Sequence, residues 1–247
     1  MASSVVRLLA GALLALASAP GALAALAQDV ERDDDRSVRR AIESGEATPD
    51  TRVPIAEYGE PGVPILALAA RAGSVSVVRL LVSLKADLNA KTPAGETALM
   101  LASFIPDEST GSGPPVTTVH FEIVRILVEA GATVENPGQL TAAAYAAYAG
   151  HLEILRYLLD RGASPDGGVS SDVARFPTPL TMAIMQDRKD AAHLLLERGA
   201  NPRIKTSAGD DAPTLARKVN RADLVPLLEC AAGLAPGKKF AEVCASR

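Results

Sequence analysis

The 247-residue chain has no tryptophan, and aromatic residues make up only 3% of it. Hydrophobic residues still account for 48% of the sequence, and much of this share is alanine. Such small side chains build only a thin core. Stacked structural repeats tolerate thin cores, because each layer is covered by its neighbours.

Motifs that carry catalysis or cofactor binding are missing. The sequence has no Gly-x-Ser-x-Gly elbow, phosphate loop or dinucleotide fingerprint. Its three histidines, His120, His151 and His193, lack metal-ligand spacing and have no neighbouring cysteine. The acidic run 33–35 lacks the spaced oxygen ligands of a calcium loop. We therefore expect no catalytic residue, no cofactor and no metal.

The charge balance is mildly acidic, with 25 Lys and Arg against 29 Asp and Glu, a formal net charge of −4. The sequence contains no basic patch that could neutralise phosphates. Nucleic acid is therefore not expected as a partner.

Residues 1–27 have the composition of a signal peptide. Arg7 is their only charge, residues 8–26 are apolar and small apart from a break at Pro20-Gly21, and Ala25-Leu26-Ala27 precedes Gln28 as an Ala-x-Ala cleavage site. We expect cleavage after Ala27, which changes the net charge to −5, and a periplasmic or secreted protein without membrane attachment. A membrane anchor is the alternative, and the absence of a lipoprotein cysteine argues against lipid anchoring.

A sequence repeat of about 33 residues accounts for most of the rest of the chain. An alanine-rich stretch is followed by a leucine-rich stretch and then by a turn at Lys85, Gly131, Gly162 or Gly199. Repeats are predicted at 58–90, 91–135, 136–170 and 171–204, with a C-terminal cap repeat at 205–230. The segment 106–118, rich in Pro, Gly, Ser and Thr, is predicted to be a loop insertion.

The segments on either side of the repeats do not match this repeat pattern. Residues 28–57 are predicted to be an N-terminal segment in which Ser37–Gly45 forms a cap helix, whereas residues 47–57 do not match a repeat. Residues 231–247 form a C-terminal tail.

Each repeat is predicted to contain two short antiparallel helices. The first is rich in alanine, as in 66–70, and the second places Ile154, Leu155 and Leu158 on one face. Glycine after the second helix accepts a left-handed backbone. The expected N-caps of the first helices are Thr97, Thr141, Thr178 and Asp211.

Two motifs resemble those of the ankyrin repeat family. Thr178-Pro179-Leu180-Thr181 is similar to its Thr-Pro-Leu-His start, although without the histidine, and Gly150-His151-Leu152-Glu153 is similar to its Gly-His-x-Glu turn. The resemblance implies an all-α solenoid of stacked helix-turn-helix pairs with β-turn fingers. It also implies that the chain binds another protein and is monomeric when alone.

In that family the inner helices and the fingers, on the concave face, contact partners. The outward positions late in the first helices are here Arg71, Phe104, Tyr148, Met185 and Lys218. The finger positions that would form a polar rim are Lys91, Glu96, Arg175 and Asp210. Large apolar residues in consecutive repeats favour an interface. The alternative is that they pack against neighbouring helices or lie under the inserted loop.

Cys230 and Cys244 are the only cysteines. In an exported protein an even count favours a disulfide, which would hold the tail over the last repeat. Two free thiols are the alternative.

These features favour a non-catalytic protein-binding module in the bacterial periplasm. The resemblance implies a link to periplasmic stress protection. The alternatives are an immunity protein that blocks a periplasmic toxin, an enzyme that uses the inserted loop, and a structural linker in an envelope assembly.

Overall fold

Short helices arranged in pairs make up almost all of the regular structure. The computed structural model describes residues 20–56, 58–59, 62–104, 116–135, 140–169, 174–234 and 240–244. Within these ranges there are two short strands, β1 (Arg52–Val53) and β2 (Val63–Pro64), and thirteen helices. The helices are α1 (Pro20–Glu31), α2 (Asp35–Glu43), α3 (Ile65–Ala72), α4 (Val75–Ser83), α5 (Ala98–Ser103), α6 (Val116–Glu129), α7 (Ala142–Ala149), α8 (Leu152–Asp160), α9 (Pro179–Met185), α10 (Lys189–Glu197), α11 (Ala212–Lys218), α12 (Val225–Ala232) and α13 (Phe240–Val243).

The chain divides into two compact units, Met1–Ala98 and Leu99–Arg247. The first contains α1–α4 and the strand pair. The second contains α6–α13 and all of α5 except its first residue. The expected all-α architecture of helix pairs is confirmed in both.

The inner helices contribute small side chains to the core, and the outer helices contribute branched ones. The inner helices α3, α5, α7, α9 and α11 are six to eight residues long. In α7 five alanines are buried, whereas α8, its outer partner, buries Ile154, Leu155 and Leu158. Small side chains let inner helices approach each other closely, and the branched residues of the outer helices fill the layer behind them.

The expected caps are present where the structure describes them. The side-chain oxygens of Thr141, Thr178 and Asp211 accept hydrogen bonds from the backbone N–H groups of Ala144, Thr181 and Thr214, at 3.2, 3.2 and 3.0 Å. Each bond satisfies one of the amides left without a partner at a helix start. Thr97 is buried directly before α5.

A left-handed residue stands two positions after the end of each outer helix from α4 to α10, as expected for the three glycines, and Lys85 takes the same conformation. The φ angles are 63° at Lys85, 98° at Gly131, 92° at Gly162 and 88° at Gly199. Three residues after each helix end, the chain places a buried alanine, whose N–H bonds to a carbonyl five residues back. These alanines are Ala86, Ala132, Ala163 and Ala200.

The finger turns share one hydrogen-bond pattern. In the turn 92–96, the N–H of Thr92 donates to the carbonyl of Glu96 at 2.8 Å. In the turn 206–210, the N–H of Thr206 donates to the carbonyl of Asp210 at the same distance. Strands β1 and β2 pair antiparallel, with Val53 opposite Val63, and form the corresponding finger before α3.

The N-terminal segment departs from the sequence prediction, because it forms a further helix pair that ends like a repeat. Helix α2 overlaps the predicted cap helix over residues 37–43, and Gly45 after it has a φ of 81°. Ala47 is then buried and donates to the carbonyl of Ala41, as the alanines above do, with one extra residue in the turn. Ala47, the first residue of the segment 47–57 that was predicted not to match a repeat, therefore takes the position that the buried alanine has in the repeats.

Helix α1 occupies the inner position of this additional pair. Asp33 follows it with a φ of 57°, at the position that Gly73, Gly150, Asp187 and Asn220 take after other inner helices. The carboxylate of Asp33 accepts from the N–H groups of Ser76 and Val77, at the start of α4. The predicted boundary after Ala27 therefore falls inside a helix that is packed on the first unit, while cleavage there stays a prediction.

Helix α6 begins earlier than expected. The insertion was predicted to extend to Thr118, but the helix starts at Val116. Its buried residues Ile123, Val124 and Leu127 define an apolar face whose period extends back to His120, which is buried at 5% exposure. Residues 106–115 of the predicted insertion lie outside the described residues.

The tail is joined to the last pair by a disulfide between Cys230 and Cys244, with 5.9 Å between the Cα atoms. The expected bridge is thus present in the structure. Phe240 of α13 is buried, and its ring meets the imidazole of His193 edge to face at 5.3 Å. The tail consequently covers part of outer helix α10.

Carboxylates connect successive turns. Glu135 accepts a hydrogen bond from the N–H of Ser164 at 2.7 Å, and Asp166 accepts one from the N–H of Asn201 at 2.8 Å. In the first unit, Asp50 accepts from the N–H of Asp87 at 2.7 Å. Burial raises the pKa of Glu135 and of Asp166, and the backbone hydrogen bond opposes this shift only in part.

We expect Gly162→Val and Gly199→Val each to lower the free energy of unfolding by at least about 1 kcal/mol, because a β-branched residue is strained at positive φ. A Cβ atom at either glycine would meet no atom within 4 Å, so the cost lies in the backbone alone. Asparagine tolerates this conformation, and Gly162→Asn should therefore cost less than Gly162→Val. Equal denaturation midpoints for Gly162→Val and the parent would contradict the role assigned to this turn.

Replacing both half-buried carboxylates, Glu135→Gln with Asp166→Asn, should retain the hydrogen bonds and remove the cost of partly burying charge. A raised pKa in the folded state means that the native protein holds its protons more tightly than the unfolded chain. This contribution to stability is therefore full at low pH and is lost as pH rises through the raised pKa. As pH rises above about 4, the ordinary range of these carboxyl groups, and through the raised pKa values, the double variant should lose less stability than the parent, as measured by denaturant unfolding. Glu153→Gln, at an exposed site, is the control, and a double variant that follows the parent at every pH would refute this explanation.

The Cys230→Ala, Cys244→Ala double variant should unfold about 3 kcal/mol more easily, as loop-closure entropy predicts for a bridge of this span. Thiol labelling of the denatured, unreduced protein should detect no free thiol. Two reactive thiols in exported protein would show that the bridge does not form there.

Candidate functional site

The five positions predicted on the inner helices share one place in the repeat, and we call them the inner-helix row. Four of them lie two residues before the left-handed residue that follows their helix, namely Arg71, Tyr148, Met185 and Lys218. Phe104 lies at the corresponding position directly after α5. Arg71 belongs to the first unit and the other four to the second. Within the second unit, helix α9 packs between α7 and α11, so Tyr148, Met185 and Lys218 occupy neighbouring helices.

An aromatic cluster forms around Phe104. Its ring centroid lies 5.2 Å from that of Tyr145, edge to face, and 5.7 Å from that of Tyr148. Tyr148 is half-buried, and its carbonyl accepts a hydrogen bond from Nε of Arg188. Tyr148 therefore packs partly against neighbouring side chains, which was the alternative to an interface role. Phe104 remains 36% exposed. Tyr145 was missed by the sequence reasoning, although its spacing of three residues from Tyr148 placed both on one face.

Met185 is the most open member of the row, at 43% exposure. Among the described residues, only Phe104, Met185 and Val243 are large hydrophobic side chains that remain exposed. Two of these three therefore belong to the inner-helix row.

Met185 borders a cavity of about 230 Å³ between two fingers. The N–H of Ala174 donates to the carbonyl of Lys205 at 2.8 Å and holds the fingers together. The apolar lining comes from Phe176, Pro177, Met185, Ile204 and Leu215.

Positive side chains stand at the edge of this cavity. Arg175 and Lys205 both line it and are exposed, and the Arg175 guanidinium lies 5.9 Å from the ring centroid of Phe176. Phe176 and Lys205 were missed as site residues, because only the closure of the two fingers brings them to Met185.

Asp210 and Lys218 were expected as separate surface residues, and the structure joins them. Nζ of Lys218 donates to both carboxylate oxygens of Asp210, at 2.7 and 2.8 Å. Asp210 is only 9% exposed, which corrects its placement on an exposed rim. The finger turn folds its carboxylate back towards the end of α11, so the negative charge at this cavity wall is already paired.

The predicted residues of the first unit form a separate group. The Arg71 guanidinium lies 5.8 Å from the ring centroid of Tyr58, whose hydroxyl donates to Oε2 of Glu96 at 3.0 Å. The Lys91 side chain is exposed, and its carbonyl accepts from the guanidinium of Arg52 at 2.8 Å. Tyr58 was not predicted as a site residue.

The part of the chain that the structure describes has neither a metal-binding cluster nor a membrane-spanning helix. No group of three or more His, Cys, Asp or Glu side chains there could hold a metal ion. None of the helices in that part is long and apolar enough to cross a membrane.

Comparison with known proteins agrees with the helix pairs and fingers. Residues 117–206 match a family model described as ankyrin repeats in three copies, and residues 62–93 match the model of a single ankyrin repeat. No curated protein shows a significant match. Helix pairs, capped starts, left-handed turns and both family matches lead to one conclusion: the chain belongs to the ankyrin repeat family.

Proposed function

We propose that this protein is a non-catalytic binding module of the bacterial periplasm, and that the inner-helix row of the second unit is its docking surface. Ankyrin repeats indicate a protein–protein interaction module. The observation that carries the choice of surface is the exposure of Met185 and Phe104 at the same repeat position. Apolar side chains kept open to solvent are a common mark of partner sites.

The chemistry of the cavity beside Met185 indicates what the partner presents. An apolar floor takes an aliphatic or aromatic side chain. Arg175 and Lys205 at the edge attract carboxylates, because Asp210 is already neutralised by Lys218. The partner segment that fits carries an apolar anchor next to acidic residues.

Export follows from the leader-like residues 1–27 and agrees with the disulfide, since such bridges persist in oxidising compartments. The resemblance to exported ankyrin-repeat proteins suggests that the protein takes part in periplasmic stress protection. Identification of the bound protein separates this role from immunity to a toxin.

Tyr148→Ala and Met185→Ala should each weaken binding to a partner recovered by periplasmic crosslinking by more than about 1 kcal/mol, or about fivefold in Kd. Aromatic and methionine anchors that are desolvated in an interface give losses of this size. Titration calorimetry with purified components measures the effect, and circular dichroism checks that each variant is folded. Unchanged affinity in both variants would place the interface elsewhere.

Two charge-reversal variants test whether the positive charge at the cavity edge contributes to binding. Arg175→Glu should weaken binding, and the loss should shrink as salt concentration rises, because the attraction is screened. Arg156→Glu makes the same change at an exposed site on outer helix α8 and should leave binding unaltered. Equal effects of the two variants would indicate a non-specific charge effect and refute the acidic segment.

A further inference from the structure

Helix α1 contributes buried side chains on both sides of the predicted cleavage site. Leu26, Ala27 and Val30 have exposures of 4%, 7% and 0%, whereas Ala24, Ala25 and Gln28 are exposed. The buried three lie on one face of the helix, which packs against α2 and α3. The carbonyl of Val30 also accepts a hydrogen bond from the hydroxyl of Ser74 at 2.7 Å.

Cleavage after Ala27 would remove two of these three buried residues. The remainder, 28–31, is a single helical turn, which is too short to hold helical structure by itself. The apolar surface of α3 beneath Leu26 would then be open to water at the first layer, where a repeat array needs a cover.

A second Ala-x-Ala sequence lies three residues earlier, at Ala22-Leu23-Ala24. Ala24 stands nine residues before the left-handed Asp33. The N-cap residues Pro64, Thr141, Thr178 and Asp211 stand nine residues before Gly73, Gly150, Asp187 and Asn220. Ala24 thus takes the register position of an N-cap within α1, which itself extends back to Pro20, and a cut after Ala24 leaves all three buried residues in place.

We propose that the leader is removed after Ala24 and that residues 25–50 remain as the first helix pair of the mature protein. Both sites satisfy the small-residue requirement of signal peptidase, so the folded structure distinguishes between them. This proposal rests on the export proposed above, but it is independent of which partner is bound.

The test expresses the full chain, with its own leader, in a Gram-negative host and measures the intact mass of the periplasmic product. The mature protein should begin at Ala25, heavier by two alanines and one leucine than a product that begins at Gln28. A product that begins at Gln28, or a chain that is never cleaved, overturns the proposal.

Two variants at neighbouring exposed residues sharpen the result. Ala24→Leu places a large residue directly before the proposed cut and should abolish the product that begins at Ala25. Ala25→Leu blocks only the site after Ala27 and should still be processed, with the mature chain beginning at residue 25. The opposite pattern contradicts the proposal.

A stability measurement gives an independent readout. Leu26→Asp should lower the thermal midpoint of the purified mature protein by about 5 °C or more, because a charge enters a buried site. Gln28→Asp, on the exposed side of the same helix, should leave the midpoint nearly unchanged. If Leu26 is removed with the leader, the product of Leu26→Asp is identical to the parent in mass and midpoint, which overturns the proposal.

Discussion

Within each of the two units, the structure depends on the packing of one helix pair against the next, because a single pair is too small to bury its own apolar side. In the second unit, inner helix α9 packs against α7, α10 and α11. Alanine on the inner helices makes this possible, because two helix backbones approach closely only where side chains are small. The near absence of aromatic residues is therefore compatible with a well-filled core, since Leu, Ile and Val on the outer helices supply its volume.

Layers that lack a neighbour on one side need a different cover. At the C-terminal end, the disulfide between Cys230 and Cys244 brings Phe240 against His193 of α10. At the N-terminal end, α1 and α2 bury Val30 and Val38 within the first unit. The two ends are thus completed differently, by a covalent link at the C-terminal end and by an added helix pair at the N-terminal end.

The repeated left-handed turns fix where functional side chains emerge. Because the N-caps of α7, α9 and α11 each stand nine residues before the left-handed residue that follows the helix, Tyr148, Met185 and Lys218 occupy one register position on neighbouring helices. Residues at this position are not needed for the core, as the exposure of Met185 shows. They can therefore vary to suit a partner while the framework remains unchanged.

Most of the fold could be predicted from short stretches of sequence. A threonine or aspartate before an alanine or proline predicted the caps at Thr141, Thr178 and Asp211, and glycine predicted the turns at 131, 162 and 199. The first helix pair was missed because Asp33 takes the left-handed position and because Leu26 and Ala27 lie in a stretch with the composition of a leader. The pairing of Lys218 with Asp210 was missed as well, since it depends on how the finger folds back and not on spacing along the chain.

The central claim is that the inner-helix row of the second unit contacts a partner protein. The most direct measurement replaces Met185 with a photoreactive amino acid in cells that export the protein, with the same replacement at Arg156 on the outer face as a comparison. The account predicts a light-dependent adduct with one partner protein from position 185 and none from position 156. An adduct that forms at position 156, with none at position 185, would contradict it.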